Sequence, residues 1–173
     1  TGTGKTMAGF LPSLIELSAP DAEDSLHTIY ISPLKALAVD IERNLAIPIR
    51  EMGLDIRAET RTGDTHQAKR KRQRENPPQV LMTTPESLEM MLTWPDAATI
   101  FKGVRRVVLD ELHTLAGNKR GDLLSLSLSR LRRLSPGMRV VGLSATVANP
   151  DALRGLAQPR CGTGCRDQGF CRD

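Results

Sequence analysis

Aromatic residues are scarce in this chain: three Phe, one Tyr and one Trp among 173 residues. Aliphatic side chains must therefore pack the core, and a hydrophobic content of 39% is enough to supply one. Cysteine is confined to Cys161, Cys165 and Cys171, all in the last thirteen residues. Three thiols cannot all pair as disulfides, and without a neighbouring histidine they make a poor zinc set. No apolar run approaches the ~20 residues needed to span a bilayer, and no secretory signal is present. The expectation is a soluble, cytoplasmic protein with no membrane partner. No internal repeat is visible. A net charge of +4 tilts the chain mildly towards an anionic partner.

What is present is an alternation of short β-rich and longer helical runs. Met7, Phe10, Leu11, Leu14 and Leu17 recur at helical spacing, with Pro12 inside the run as a lost hydrogen bond or bend. His27–Ser32 is a candidate strand, and Leu34–Met52 a helix broken near Pro48. Asp55–Thr60 reads as a strand, Thr65–Glu75 as a polar helix and Gln79–Thr83 as a buried strand. Thr84 caps a helix that starts at Pro85 and runs to about Leu92. Val104–Asp110 and Met138–Ala145 are further strands. Between them, Leu124, Leu126 and Leu128 alternate as in a strand, whereas Leu124, Leu128 and Leu131 fit a helix; the length of Gly121–Leu134 favours the helix. Strands separated by helices predict an α/β domain with a mostly parallel sheet covered on both faces. From about Gln158 the periodicity is lost. Residues 1–156 are read as one domain and 157–173 as an aberrant or disordered tail that binds no metal.

The chain opens with Thr1-Gly2-Thr3-Gly4-Lys5-Thr6, the second half of the phosphate-loop pattern G-x-x-x-x-G-K-[ST]. Gly4 lets the backbone approach phosphate, Lys5 reaches the β and γ phosphates, and Thr6 is placed to ligate Mg²⁺. The first glycine would lie two residues before Thr1, so the expectation is a fragment lacking the loop's entry strand. Downstream, Val107-Val108-Leu109-Asp110-Glu111-Leu112-His113 places two carboxylates where an apolar strand ends. Ligands gather at the carboxyl ends of strands in such sheets. Asp110 suits the metal-holding role and Glu111 the orientation of an attacking water.

With Ser144-Ala145-Thr146, these two segments form an ordered series that resembles the superfamily 2 helicases, in the first of their two RecA-like domains. The resemblance covers roughly residues 1–156. It implies that Ser144, Ala145 and Thr146, with His113, couple nucleotide state to nucleic-acid binding. Ser32–Ala38 (SPLKALA), Arg61–Thr65 (RTGDT) and Thr83–Leu88 (TTPESL) are similar to the family's nucleic-acid motifs. Helix starts, small hydroxyls and cations suit a sequence-independent phosphate track, with Pro33, Lys35, Arg61, Gly63, Thr84 and Pro85 as candidates. The wording ISPLKALAVDIERNL and DELHTLAGNKRGDLL is similar to the large helicase-related (Lhr) proteins, and most like their bacterial ligase-associated branch.

That resemblance implies an RecA-like P-loop fold, ATP and Mg²⁺ as cofactors, and 3′→5′ translocation on single-stranded DNA in DNA repair. It also implies a second RecA-like domain in the parent chain and ligase or nuclease partners. An RNA helicase of the same superfamily, a different P-loop ATPase and a non-enzymatic basic binding module are the competing readings. The run Lys69-Arg70-Lys71-Arg72-Gln73-Arg74 is read as a solvated helix face ahead of a nucleic-acid patch. Lys119-Arg120-Gly121 is read as a loop that could meet nucleic acid.

Overall fold

Apolar β-branched runs and amphipathic helices assemble here into a five-stranded, wholly parallel sheet. The computed structural model describes residues 3–115 and 118–144. Helix α1 (Thr3–Leu17) precedes strand β1 (Thr28–Ile31), followed by α2 (Lys35–Glu51), β2 (Ala58–Arg61), α3 (Gln67–Glu75) and β3 (Val80–Thr83). The chain continues through α4 (Pro85–Leu92), α5 (Ala97–Phe101), β4 (Arg106–Leu109), α6 (Leu112–Leu115), α7 (Lys119–Leu134) and β5 (Arg139–Gly142). Spatial order in the sheet is β2-β3-β1-β4-β5. Tyr30 of β1 is in register with Met82 of β3 and Val108 of β4.

Alternation along the strands sorts their side chains into two apolar layers. Ile29, Ile31, Leu81, Val107 and Leu109 join α4, α5, α6 and α7 on one face. Tyr30, Val80, Met82 and Val108 join α1 and α2 on the other. Helix α1 lies close on the sheet: a Cβ on Gly9 would sit 3.1 Å from Leu143 and 3.2 Å from Val108. Strand β5, at the sheet's edge, is largely exposed. Among the described residues no helix is long and apolar enough to cross a membrane.

Several sequence expectations change. Helix α2 is not broken at Pro48 but runs on to Glu51. Its buried stripe of Ala38, Ile41, Leu45 and Ile49 spans the proline, and Met52 N donates to Pro48 O at 2.9 Å. Packing thus outweighs one missing N–H. Helix α3 starts at Gln67 rather than Thr65, because Thr62 N donates to Thr65 Oγ1 at 2.9 Å and Thr65 N to Thr62 O at 3.2 Å. That local turn competes with the helix. Strands β1 to β5 are each four residues, shorter than the runs that announced them. The cysteine tail lies outside the described residues.

Candidate active site

The two carboxylates follow β4 directly, at the carboxyl edge of the sheet. Asp110 N donates to Ile31 O at 2.9 Å, and Asp110 Oδ1 accepts from Glu111 N at 2.9 Å. Glu111 has φ of 47°, the left-handed region. A non-glycine residue there stores strain on the order of 1–3 kcal/mol. Local bonds hold it: Thr114 donates to Glu111 O through both N, at 2.8 Å, and Oγ1, at 2.9 Å. The strained residue is the one read as orienting water, and its side chain is part-exposed.

His113 stands between the acids and the end of β5. Its Nδ1 lies 3.3 Å from Glu111 Oε2 and 3.1 Å from Ser144 Oγ. The two segments are also joined through backbone: Leu112 N donates to Leu143 O at 3.2 Å and Leu143 N to Leu109 O at 2.7 Å. Asp110, Glu111, His113 and Ser144 are therefore brought together. Thr1, Gly2, Ala145 and Thr146 lie outside the described residues, as do the side chains of Thr3 and Lys5.

The start of α1 approaches the same edge. Below Thr6, the Phe10 ring stacks on Tyr30 with centroids 4.9 Å apart. Burial pushes the Tyr30 phenol far above its ordinary range; the Asp110 carboxylate pushes it further up, and the Thr6 side chain acts the other way. Asp110 and Thr6 thus face one buried hydroxyl from two elements. No described atom would touch a Cβ on Gly4 within 4 Å, which leaves room for a ligand against that backbone. A Thr hydroxyl and an Asp carboxylate are hard oxygen donors of the kind Mg²⁺ takes alongside phosphate. The residues present therefore fit a magnesium–nucleotide site. An apolar cleft of about 610 Å³ runs beside Thr6 between α1 and α2, lined by Met7, Phe10, Leu37 and Ile41, and is separate from the acids.

The candidate phosphate track follows the carboxyl ends of β1, β2 and β3. Lys35 Nζ meets both carboxylate oxygens of Asp64 at 2.9 Å, and would lie 3.5 Å from a Cβ on Gly63. Lys35 is thus drawn beside the loop that carries Gly63. Thr84 caps α4, accepting from Ser87 N, with Pro85 at the first helical position. Arg120 is not in a loop, as expected, but in the first turn of α7. It donates to Glu86 at 2.5 and 3.2 Å and to Pro33 O at 2.8 Å.

Arg61 is placed differently from the rest. Only 7% exposed, it turns inward, with its guanidinium 4.6 Å from the Trp94 ring centroid and one N–H on Arg70 O. Burial, then neighbouring Arg70 and Arg74, lowers its pKa to about 10. The basic run is largely neutralised: Lys69, Lys71, Arg72 and Arg74 each meet a carboxylate. Arg70 donates to Thr62 O and Gly63 O. This matches the solvated-face reading. Sequence patterns gave no signal for Tyr30 or for the clasp of Trp94, because neither has a motif of its own.

Comparison with known proteins identifies the family. The family pattern of the DEAD/DEAH box helicases matches residues 1–153. The chain is 49% identical over 160 residues to the ATP-dependent helicase Lhr-Core of Methanothermobacter thermautotrophicus, covering 85% of the chain and 19% of that protein. It is 47% identical over 167 residues to the Lhr helicase/probable uracil glycosylase of Mycolicibacterium smegmatis, covering 88% of the chain and 11% of that protein. The chain thus spans a fifth or less of these relatives. The structure of Mycobacterium smegmatis helicase Lhr bound to ssDNA and AMP-PNP superposes with a TM-score of 0.78 at 43% identity, over 87% of this chain and 20% of that one. DEAD-box helicase Mss116 bound to ssRNA and UDP-BeF gives 0.78 at 25% identity, over 91% and 32%. These likenesses bear out the RecA-like fold and the Lhr-type resemblance.

Proposed function

Because the chain belongs to the DEAD/DEAH box helicases, we propose that it is the ATP-binding and hydrolysing half of a two-domain motor that moves along single-stranded nucleic acid. The observation that carries this reading is the meeting of Asp110, Glu111, His113 and Ser144 at the carboxyl edge of the sheet, beside the start of α1. Domain boundaries at residues 1–156 and the site roles given below belong to the same proposal.

Mg²⁺ bound with the nucleotide would neutralise phosphate charge. Gly4 and the first turn of α1 cradle phosphate through backbone N–H groups. Lys5 would bind the β and γ phosphates, while Thr6 and Asp110 would hold the metal. Glu111 orients the attacking water. Its strained backbone, held by Thr114, aims the side chain from one conformation. His113 and Ser144 report the state of that acid to the loop after β5. An arginine from a second RecA-like domain completes the charge stabilisation, as the family resemblance implies.

Single-stranded nucleic acid is the second ligand, with DNA placed ahead of RNA. The Lhr relative is bound to ssDNA and supports this order. Pro33, Lys35, Gly63, Thr84 and Pro85 form the track, held by the Lys35–Asp64 and Arg120–Glu86 pairs. Helix α2 starts with no side-chain cap, so its first N–H groups are available to phosphate. Movement in the 3′→5′ direction, a role in DNA repair and ligase or nuclease partners follow from the ligase-associated resemblance. The test is ATP turnover by the full-length protein with and without ssDNA or ssRNA. Stimulation by ssDNA is expected; turnover indifferent to any nucleic acid would refute the motor. Robust DNA-stimulated turnover by the 173-residue chain alone would refute the two-domain mechanism.

A further inference from the structure

Tyr30 is the chain's single tyrosine, and it is wholly buried in the middle of the sheet. Its ring needs no hydroxyl to pack: Phe10 stacks on it at an interplanar angle of 16°. The hydroxyl is buried and makes no hydrogen bond of ordinary geometry. A phenylalanine would fill the same space without desolvating a polar atom, so packing alone does not account for this residue.

The surroundings of that hydroxyl give it a use. Tyr30 is in register with Val108, and Asp110 lies two residues beyond Val108, on the same side of the strand. Thr6 lies one helical turn before Phe10, on the stripe of α1 that covers the ring. The hydroxyl consequently sits between Thr6 and Asp110, both of which act on it electrostatically. We infer that Tyr30 is a positioning residue whose hydroxyl sets the spacing of the Thr6 hydroxyl and the Asp110 carboxylate for a divalent metal bound with nucleotide.

This rests on reading that edge as a magnesium–nucleotide site. A phenol can donate to Asp110 while accepting from Thr6, so one buried group can orient both oxygen donors. Both side chains already act on the hydroxyl from opposite elements.

The test is Tyr30→Phe in the full-length protein, with two readouts besides turnover. The first is the Mg²⁺ concentration that half-saturates binding of a fluorescent ATP analogue. It should rise about tenfold, the low end of the ~10–100-fold effect of outer-sphere substitutions, while affinity for the metal-free nucleotide stays unchanged. The second is thermal stability without metal, which should be unchanged or higher, since the ring's stacking on Phe10 does not need the hydroxyl. An unaltered Mg²⁺ requirement, or a lowered melting temperature of the metal-free variant, would overturn the inference. Should the wild-type protein itself show no Mg²⁺-dependent nucleotide binding, the reading of the site would fail first, and the inference with it.

Discussion

His113 Nδ1 lies 3.1 Å from the Ser144 hydroxyl, a contact that bridges thirty-one residues of sequence. It joins the segment after β4 to the segment after β5, and the same ring nitrogen is 3.3 Å from Glu111. A change in how Glu111 is held can therefore be felt at Ser144. His113→Ala is expected to leave ATP affinity near the wild-type value while weakening the mutual effect of ATP and ssDNA on each other's binding. A loss of about tenfold is expected, within the ~5–150-fold range of allosteric coupling. The measurement is ssDNA affinity with and without a non-hydrolysable ATP analogue; an unchanged ratio would remove His113 from the coupling path.

Lys5 and Glu111 should fail in different ways. Lys5→Ala deletes the charge for the β and γ phosphates, so nucleotide binding itself should weaken. Glu111→Gln keeps size and hydrogen-bonding capacity but loses the carboxylate, so ATP should bind and then stall. Equilibrium nucleotide binding beside single-turnover hydrolysis separates the two. Equal loss of binding in both variants would contradict the separate roles.

Much of the fold is legible because burial enforces periodicity. Leu124, Leu128 and Leu131 are fully buried while Leu126 is 55% exposed, which settles the ambiguous leucine run as helix. The strand before Asp110 read clearly because a parallel strand buried on both faces is a continuous apolar run. Helices α5 and α6 were missed because five and four residues are too short to establish a period. Arg61 is a phosphate-track candidate in the sequence because a cation at a strand end is normally displayed. Nothing local in the sequence announces that Trp94 lies across from it. Tyr30 was read only as part of a strand, since the meaning of its hydroxyl depends on Thr6 and Asp110, which come from distant segments.

Acid should destabilise the fold in two steps through a cluster at the other end of the sheet. Glu16 on α1 meets Arg106 at 2.8 Å and His27 at 3.0 Å, and Arg106 also donates to Ser13 at 2.9 Å. Burial chiefly lowers the His27 pKa from 6.5, while the Arg106 hydrogen bond chiefly lowers that of Glu16 from 4.5. Unfolded His27 takes up a proton as pH drops below 6.5 and folded His27 resists it, so stability is lost from there downward. Glu16 adds a second loss below 4.5. Melting temperature should therefore fall between pH 8 and pH 5, and His27→Gln should flatten that fall. An equally steep fall in the variant would place the pH sensitivity elsewhere.

Arg120 offers a test of the phosphate track that leaves the nucleotide site alone. Its guanidinium reaches Glu86 in the first turn of α4 and the carbonyl of Pro33 after β1. Three elements of the carboxyl edge are thus fixed relative to one another by a planar, forked donor. Lysine carries the charge but cannot make both contacts at once. Arg120→Ala and Arg120→Lys should each loosen the alignment of Pro33, Thr84 and Pro85, lowering ssDNA affinity by about tenfold, the size of losing one or two charge-assisted hydrogen bonds. ATP affinity without DNA should hold, because Arg120 contacts none of the residues assigned to nucleotide. The measurement is ssDNA binding at a fixed salt concentration, since phosphate contacts are salt-dependent. Full affinity in Arg120→Lys would show that charge alone suffices. A parallel loss of ATP binding would show that Arg120 supports the fold as a whole rather than the track.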